Sequence, residues 1–155
     1  ASLSLRLRRN SSFHLPLAPA PMLLIGNGTG LAGLRSLLKA RISEGEPRNW
    51  LLFGERNRAS DLLCADELQG WLARGELRKL DLAFSRDQAE KVYVQDLLLA
   101  QADEVRHWVA DGACIYVCGS LQGMAAAVDA ALRGILGEAM LQQLVEDGRY
   151  RRDVY

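Results

Sequence analysis

A cluster of side chains suited to binding an anion follows one apolar segment of the sequence. The segment, residues 77–85, is predicted to be a strand, and the cluster at its end consists of Ser85, Arg86, Lys91 and Tyr93. Open α/β sheets bind ligands beyond the carboxyl ends of their strands. Arginine presents a planar fork of donors to a phosphate, and lysine adds a point charge. The cluster therefore indicates a site for a phosphate monoester, with a solvated charged loop as the alternative.

A glycine-rich turn with the sequence GNGTG occupies residues 26–30, between a predicted strand and a predicted helix. Gly26, Gly28 and Gly30 would let the backbone approach a pyrophosphate, and the helix would offer unpaired amides and the positive end of its dipole. The spacing differs from the G-x-G-x-x-G dinucleotide fingerprint, because the third glycine comes one residue early. Pyrophosphate binding and an ordinary tight turn both agree with this pattern.

Two side chains near this turn are further candidates for phosphate binding. Thr29 would donate its hydroxyl to a phosphate, or would cap the helix. Arg35 lies about one and a half turns into the helix. From there its side chain would reach back toward a phosphate, or would remain a solvated helix charge.

A second strand end and the C-terminus carry the remaining candidates. The sequence VCGS at residues 117–120 places Cys118 and Gly119 at the end of another apolar strand. Cys118 would lie beside the glycine turn if the two strands are neighbours, and would pack against a ligand ring or be an ordinary buried cysteine. Tyr155 follows the carboxylate of Asp153 by two positions. A terminal residue normally frays, but a terminal tyrosine could also stack on a flat ring.

The sequence from Met22 onward alternates short apolar segments with helical patterns. Strands are predicted at residues 22–25, 50–53, 77–85, 113–118 and 150–154. Helices are predicted at residues 31–42, 60–73, 94–110 with a break near Ala102, 121–136 and 138–146. Apolar strands interleaved with helices predict a parallel sheet covered on both faces. The expected fold class is α/β, an open five-stranded parallel sheet of the Rossmann-like type.

Composition excludes several classes of protein. The 155 residues carry 19 basic and 19 acidic side chains, so no overall field favours nucleic acid or an anionic membrane. Cys64, Cys114 and Cys118 lack metal-ligand spacing, which favours free thiols in a reducing compartment and argues against a metal site. No apolar run approaches the roughly 20 residues of a membrane span. A cytoplasmic location is expected, while a membrane anchor elsewhere in a longer protein stays open.

Several motifs, taken in order, resemble one known family. They are IGNGTGLAGLR at 25–35, FG at 53–54, AFSRDQ at 83–88, KVYVQ at 91–95, IYVCG at 115–119 and RYRRDVY at 149–155. Together they resemble the NADP(H)-binding domain of the ferredoxin–NADP reductase superfamily, and most of all its diflavin reductases, of the sulfite reductase flavoprotein and microsomal cytochrome reductase type. The resemblance runs from about Phe13 to Tyr155.

This resemblance implies two anion contacts for NADP(H). The turn at residues 26–30 would hold the pyrophosphate, with Arg35 nearby. The 2′-phosphate and adenosine would be bound by a group comprising Ser85, Arg86, Lys91, Tyr93 and Gln95.

The resemblance also implies a redox role. Cys118, next to Gly119, would orient the nicotinamide, Asp153 would support hydride transfer electrostatically, and Tyr155 would stack on the flavin. The implied activity is that of an NADPH-dependent flavoprotein reductase. Electrons would pass from NADPH to FAD, and then to FMN or to a haem or iron acceptor. The expected partners are an upstream FAD-binding domain, and an FMN domain or an electron-acceptor protein.

The FAD-binding β-barrel of such reductases is missing, because its Arg-x-Tyr-Ser type motif is absent from the sequence. Residues 1–20 would be the tail of that barrel and a linker, and residues 21–155 the NADP(H)-binding domain. A lone barrel strand would have unpaired edges, so irregular packing is expected before about Met22. The chain by itself is expected to bind NADP(H) with little or no reductase activity.

Three positions depart from the family pattern. Asn27 and Gly33 stand where proline is usual, and Ser120 stands where an acid is common. They support an alternative function, a stand-alone nucleotide-binding or interaction module without catalysis. Cys118, Asp153 and Tyr155 favour the reductase, because a simple binding module needs no groups beside a flavin.

Overall fold

The computed structural model describes residues 20–28, 31–55, 65–84, 93–119 and 121–154. Strands and helices alternate along these parts of the chain. The strands are β1 (Met22–Asn27), β2 (Asn49–Glu55), β3 (Lys79–Phe84), β4 (Cys114–Gly119) and β5 (Tyr150–Val154). The helices are α1 (Leu31–Ser43), α2 (Ala65–Ala73), α3 (Val94–Ala100), α4 (Ala102–Ala110), α5 (Ala126–Leu136) and α6 (Glu138–Glu146).

All five strands are parallel and form one sheet in the order β3-β2-β1-β4-β5. The chain builds outward from β1 through β2 to β3, and then crosses back to add β4 on the other side of β1. The connections that leave β1 and β4 therefore diverge, and a crevice is expected beyond the carboxyl ends of these two strands. The predicted fold, an open five-stranded parallel sheet, is confirmed.

Each face of the sheet has its own apolar core. Successive residues of a strand point to opposite faces, so Leu23 and Leu24 of β1 are both fully buried but belong to different cores. Helices α1 and α2 cover the face that includes Leu24. Helices α3 to α6 cover the face that includes Leu23. Burial on both faces explains why the strands are continuous apolar runs in the sequence.

The helical segments differ in detail from the patterns that predicted them. The break expected near Ala102 occurs at Gln101, which separates α3 from α4. The helix expected at residues 60–73 is described only from Ala65, and the possible caps at Ser60 and Asp61 lie outside the described residues. A π-helical turn, Leu121–Ala125, precedes α5 in place of regular α-helix. This wider turn follows β4 directly, at the switch-point end of the sheet.

Two buried polar side chains tie α1 to the amino end of the sheet. Arg41 is 3% exposed and Asn49 is fully buried. Arg41 Nε donates to Asn49 Oδ1 at 2.5 Å, and Arg41 Nη2 donates to the carbonyl of Ala20 at 2.5 Å. Asn49 Nδ2 donates to the carbonyls of Glu46 at 2.8 Å and Glu76 at 3.0 Å. Burial lowers the pKa of Arg41, and these bonds compensate the buried charge.

The described helices are short. Helix α1 has 13 residues and α5 has 11, whereas a membrane span needs about 20 apolar residues. None of the helices in the described parts of the chain is long and apolar enough to cross a membrane.

Candidate functional site

The carboxyl ends of β1 and β4 are adjacent at the switch point. Gly26 of β1 is the register partner of Cys118 of β4, so the cysteine does lie next to the first glycine of the GNGTG sequence. A methyl group on Gly26 would overlap the carbonyl oxygen of Cys118 and come within 2.7 Å of Leu34 Cδ1. Gly26 is thus part of β1, and its lack of a side chain lets β4 and α1 pack closely against β1.

Gly28 follows β1 and faces open space. Its φ is +52°, the residue is exposed, and none of the described residues lies within 4 Å of the position of an added Cβ. Helix α1 begins three residues later, at Leu31. Backbone in this position, ahead of a helix amino end, can approach an anion closely. Gly28 is therefore open to the contact predicted for it, and the other two predicted contacts of the turn, Thr29 and Gly30, lie outside the described residues.

Gly119 ends β4 in a conformation that suits only glycine. Its φ is +146°, and an added Cβ would overlap Asn27 Oδ1 and lie 2.7 Å from Met124 Cε. The side chain of Asn27 thus lies over Gly119, across the boundary between β1 and β4. Gly119 is therefore buried at the end of β4, and its lack of a side chain makes room for Asn27 and Met124. Ser120, the next residue, lies outside the described part of the chain.

Asp153 of β5 lies on the other side of Cys118 from Gly26. Cys118 and Asp153 are register partners on β4 and β5, and Cys118 is 3% exposed within the core under α1 and α2. Burial and the negative charge of Asp153 raise the pKa of the Cys118 thiol to about 11. The thiol is therefore protonated at neutral pH, and is suited to packing or weak hydrogen bonding more than to nucleophilic attack. Tyr155 lies outside the described residues.

Arg35 of α1 is engaged by a carboxylate of α2. Its Nε donates to Glu67 Oε1, and its Nη2 donates to Glu67 Oε2 at 3.0 Å. The two side chains are 39% and 31% exposed, and the Arg35 hydrogen bonds lower the pKa of Glu67. Sequence reasoning identified Arg35 but missed Glu67, because the two residues are 32 positions apart and no local pattern relates them.

Tyr93 and Gln95 lie together at the start of α3. Tyr93 is 44% exposed, and its backbone N–H donates to Asp96 Oδ2 at 2.9 Å. Gln95 is half-buried one residue into the helix. An exposed phenol ring held at a helix start offers a flat surface to a ligand ring. Ser85, Arg86 and Lys91, the other members of the predicted phosphate group, lie outside the described residues.

Several curated relatives of the chain share one name. The chain is 43% identical over 161 residues to the "Sulfite reductase [NADPH] flavoprotein alpha-component" of Salmonella typhimurium strain LT2. It is 41% identical over 161 residues to the proteins of that name from Escherichia coli O157:H7 and Shigella dysenteriae serotype 1. Each comparison covers 96% of this chain but only 27% of the relative. The chain thus spans about a quarter of the length of these relatives.

A family model supplies the second comparison. The model described as "Oxidoreductase NAD-binding domain" matches residues 24–130, which is more than half of the chain. The matched region begins inside β1 and ends inside α5, so it includes both strand ends of the switch point. The chain therefore belongs to the NAD-binding domain family of oxidoreductases, of the ferredoxin–NADP reductase type found in diflavin reductases.

Proposed function

We propose that the chain is the NADPH-binding domain of a flavoprotein oxidoreductase and delivers hydride from NADPH to an FAD held by another domain. The observation that supports this function best is the row formed by Gly26, Cys118 and Asp153 across β1, β4 and β5. It places a glycine, a protonated thiol and a carboxylate side by side at the switch point. A site that only held a phosphate would need no thiol or carboxylate there.

In this proposal, backbone amides at Gly28, Thr29 and Gly30 bind the pyrophosphate, together with the amino end of α1. The nicotinamide enters the crevice between β1 and β4. Cys118, next to Gly119, contacts one of its faces and orients it. Asp153, through its negative charge, favours the positive charge that the nicotinamide ring gains when it gives up hydride. NADPH supplies the hydride, and the protein supplies position and charge.

Specificity for the 2′-phosphate is assigned to a second group, at the start of α3 and in the segment before it. Arg86 and Lys91 would hold the phosphate, assisted by the Ser85 hydroxyl. Tyr93, with Gln95 nearby, would contact the adenosine. A charge-assisted hydrogen bond contributes about 1.5–3 kcal/mol. Two such contacts would favour NADP(H) over NAD(H) by a large factor.

The remainder of the proposed reaction involves the two ends of this chain and flavin-binding parts that it does not contain. We propose that residues 1–20 are the end of a preceding FAD-binding barrel and its linker. Tyr155 would stack on the flavin and move aside when the nicotinamide binds. Electrons would then pass to FMN or to a haem or iron acceptor. The relatives, of which this chain covers 27%, are flavoproteins by name, and this supports a further flavin domain.

Calorimetric titration of the chain with NADP⁺, and separately with NAD⁺, tests the proposal. We expect clear binding of NADP⁺ and much weaker binding of NAD⁺. Replacing Arg86 by alanine should weaken the binding of NADP⁺ and leave that of NAD⁺ almost unchanged. The control Arg74→Ala removes an exposed ion pair just after the end of α2 and should change neither. Equal losses for both nucleotides would remove Arg86 from the 2′-phosphate site, and no binding of either would refute the assigned function of the chain.

A stand-alone nucleotide-binding module without catalysis is the second candidate. Asn27 supports it, because its side chain lies over Gly119 where the nicotinamide would approach. Replacing Cys118 by alanine in the full-length protein separates the two functions. Slower hydride transfer in stopped-flow measurements, with NADP⁺ affinity retained, supports the reductase. Unchanged hydride transfer removes Cys118 from the mechanism.

A further inference from the structure

The ends of β2, β1 and β4 form a row of three residues, Gly54, Asn27 and Gly119, called here the edge row. Asn27 is the register partner of Gly54, and its side chain lies over Gly119. Successive residues of a strand point to opposite faces, so Asn27, like Ile25, belongs to the face under helices α3 to α6. Asn27 is thus the one position of the edge row that carries a side chain.

The edge row joins the two ends of the proposed nucleotide site. Val94 of α3 packs against its β2 end, with Cβ 3.6 Å from the position of an added Cβ on Gly54. Tyr93, the proposed adenosine contact, directly precedes Val94. At the other end of the row, β4 carries Cys118, the proposed nicotinamide contact. A nucleotide that binds at both ends therefore passes over the ends of β2 and β1, where it meets Asn27.

The side chain of Asn27 covers the β4 end of this path. Its Oδ1 would overlap a Cβ on Gly119, and Met124 Cε lies 2.7 Å from the same position. Gly119 is buried and Met124 is 6% exposed, whereas Asn27 is only half-buried. The carboxamide of Asn27, more than the methionine, is therefore the part of this cover that can turn out toward solvent.

We propose that Asn27 is a specificity-determining residue for the nucleotide: its carboxamide covers the β4 end of the site in the free chain and turns aside when the nicotinamide enters. This inference rests on the proposed function. Only the conformer with the amide turned aside accepts the ring, so the population of that conformer sets the apparent affinity. Any contact that holds the amide over Gly119 adds to the free energy that the ligand must supply.

Two ligands that differ at the nicotinamide test this assignment. NADP⁺ carries the ring, whereas 2′-phospho-ADP-ribose carries the same adenosine, 2′-phosphate and pyrophosphate without it. In calorimetric titrations of the complete chain, Asn27→Ala should tighten NADP⁺ binding about 3- to 10-fold, which corresponds to a turned-aside population of about 10–30%. The same variant should leave the affinity for 2′-phospho-ADP-ribose unchanged. Asn27→Gln, which keeps a carboxamide, should not tighten the binding of NADP⁺.

Gln143→Ala is the control for the loss of an amide. Gln143 is exposed on α6, where its Nε2 donates to Asp147 Oδ1 at 2.9 Å, and its replacement should change neither affinity. Melting temperatures show whether each variant remains folded. Asn27→Ser, which keeps a short polar side chain, provides a second test and should also tighten NADP⁺ binding, by a smaller factor than Asn27→Ala.

Hydride transfer in the full-length protein tests whether the cover opens. Because the amide turns aside when the ring enters, stopped-flow measurements should show reduction of the flavin by NADPH in the wild-type protein. Asn27→Ala should need less NADPH to reach half of the maximal rate. Reduction in Asn27→Ala but not in the wild-type protein would mean that the amide closes the site permanently, and would overturn the proposal.

Three results of the titrations would also refute the inference. Weaker NADP⁺ binding by Asn27→Ala would mean that the amide assists the ring. Equal changes for both ligands would mean that Asn27 acts on the rest of the nucleotide, and no change for either would mean that the ring does not meet this side chain. Failure of the wild-type chain to bind either ligand would instead reject the proposed function, and the inference with it, so the two failures are distinguishable.

Discussion

Asp153 of β5 stands in register with Cys118 of β4, so a carboxylate lies beside a thiol that is 3% exposed. The thiol already has a raised pKa because it is buried, and the carboxylate raises it further, to about 11. The pair thus keeps a neutral sulfur next to a negative charge at the switch point. In the proposed function, this arrangement would favour positive charge on the nicotinamide ring without offering it a nucleophile.

Replacing Asp153 by asparagine should make Cys118 more reactive. With a pKa of about 11, only about one thiol in a thousand is ionised at pH 8. Removing the carboxylate lowers the pKa, although burial keeps it above its ordinary value. Alkylation by iodoacetamide at pH 8 should therefore be several times faster at Cys118. Peptide mass spectrometry gives the rate at Cys114 in the same sample as a control, since the causes of its raised pKa do not include Asp153. An unchanged Cys118 rate would show that Asp153 has no electrostatic effect on the thiol.

Replacing Gly26 by alanine should destabilise the fold. The new methyl group would overlap the carbonyl of Cys118, which the β1–β4 pairing prevents from moving. We expect a loss of about 1–3 kcal/mol in the free energy of unfolding, measured by urea denaturation. Gly134→Ala is the control, because it lies in α5 with nothing within 4 Å of the added Cβ and should gain about 0.4–1 kcal/mol. Equal stability of the Gly26 variant and the wild-type chain would contradict the close approach.

The order of elements was predictable because the sequence carries it locally. Apolar runs such as residues 22–25 and 113–118 are strands because both of their faces are buried, and glycines mark their ends. Even the break between α3 and α4 was visible as an interruption of the helical pattern. The neighbouring positions of Gly26 and Cys118 followed once β1 and β4 were assumed to pair, and the register confirms that they do.

Relationships between distant side chains were not predictable in this way. Arg35 was assigned to a phosphate because its spacing from the turn is a local property, whereas its partner Glu67 is reached only through the packing of α1 against α2. In the same way, no local pattern shows that Arg41 of α1 is 3% exposed and bonded to Asn49. Helical periodicity predicts the direction in which a side chain points, but it does not identify the polar groups that the side chain contacts.

Replacing Asn49 by alanine should destabilise the fold, because the side chain is bonded to the buried Arg41. Asn49→Ala leaves the Arg41 guanidinium without one of its acceptors in a buried position, and leaves the carbonyls of Glu46 and Glu76 without a donor. We expect a loss of about 2–4 kcal/mol in the free energy of unfolding. The control Arg74→Ala removes an exposed ion pair, whose side chains are 61% and 37% exposed, and should change stability by about 0.5 kcal/mol or less. Similar small losses for both variants would mean that water replaces Asn49 at no cost.

Lowering the pH should reduce the free energy of unfolding, because Glu46 becomes protonated. Its carboxylate accepts from Arg48 Nε at 2.9 Å and Nη2 at 2.8 Å, and also from the Arg48 backbone N–H at 3.0 Å. The side-chain bonds are the main reason that the pKa of Glu46 falls from 4.5 to about 2. Because the folded-state pKa is lower than the unfolded one, the stabilisation is complete above about pH 5 and is lost as pH falls toward 2. Arg48 is 38% exposed, so the contribution should be about 1 kcal/mol.

Glu46→Gln tests this dependence, since the variant cannot ionise. Urea denaturation at pH 7 should show the wild-type chain to be more stable, and the difference should shrink steadily between pH 5 and pH 2. Arg48→Met should reduce the wild-type pH dependence in the same range, and the double variant should be no flatter than either single one, because one hydrogen-bonded pair is responsible. A difference between Glu46→Gln and the wild-type chain that stays constant from pH 7 to pH 2 would mean that the carboxylate stabilises the fold by its shape alone, without any contribution from its charge.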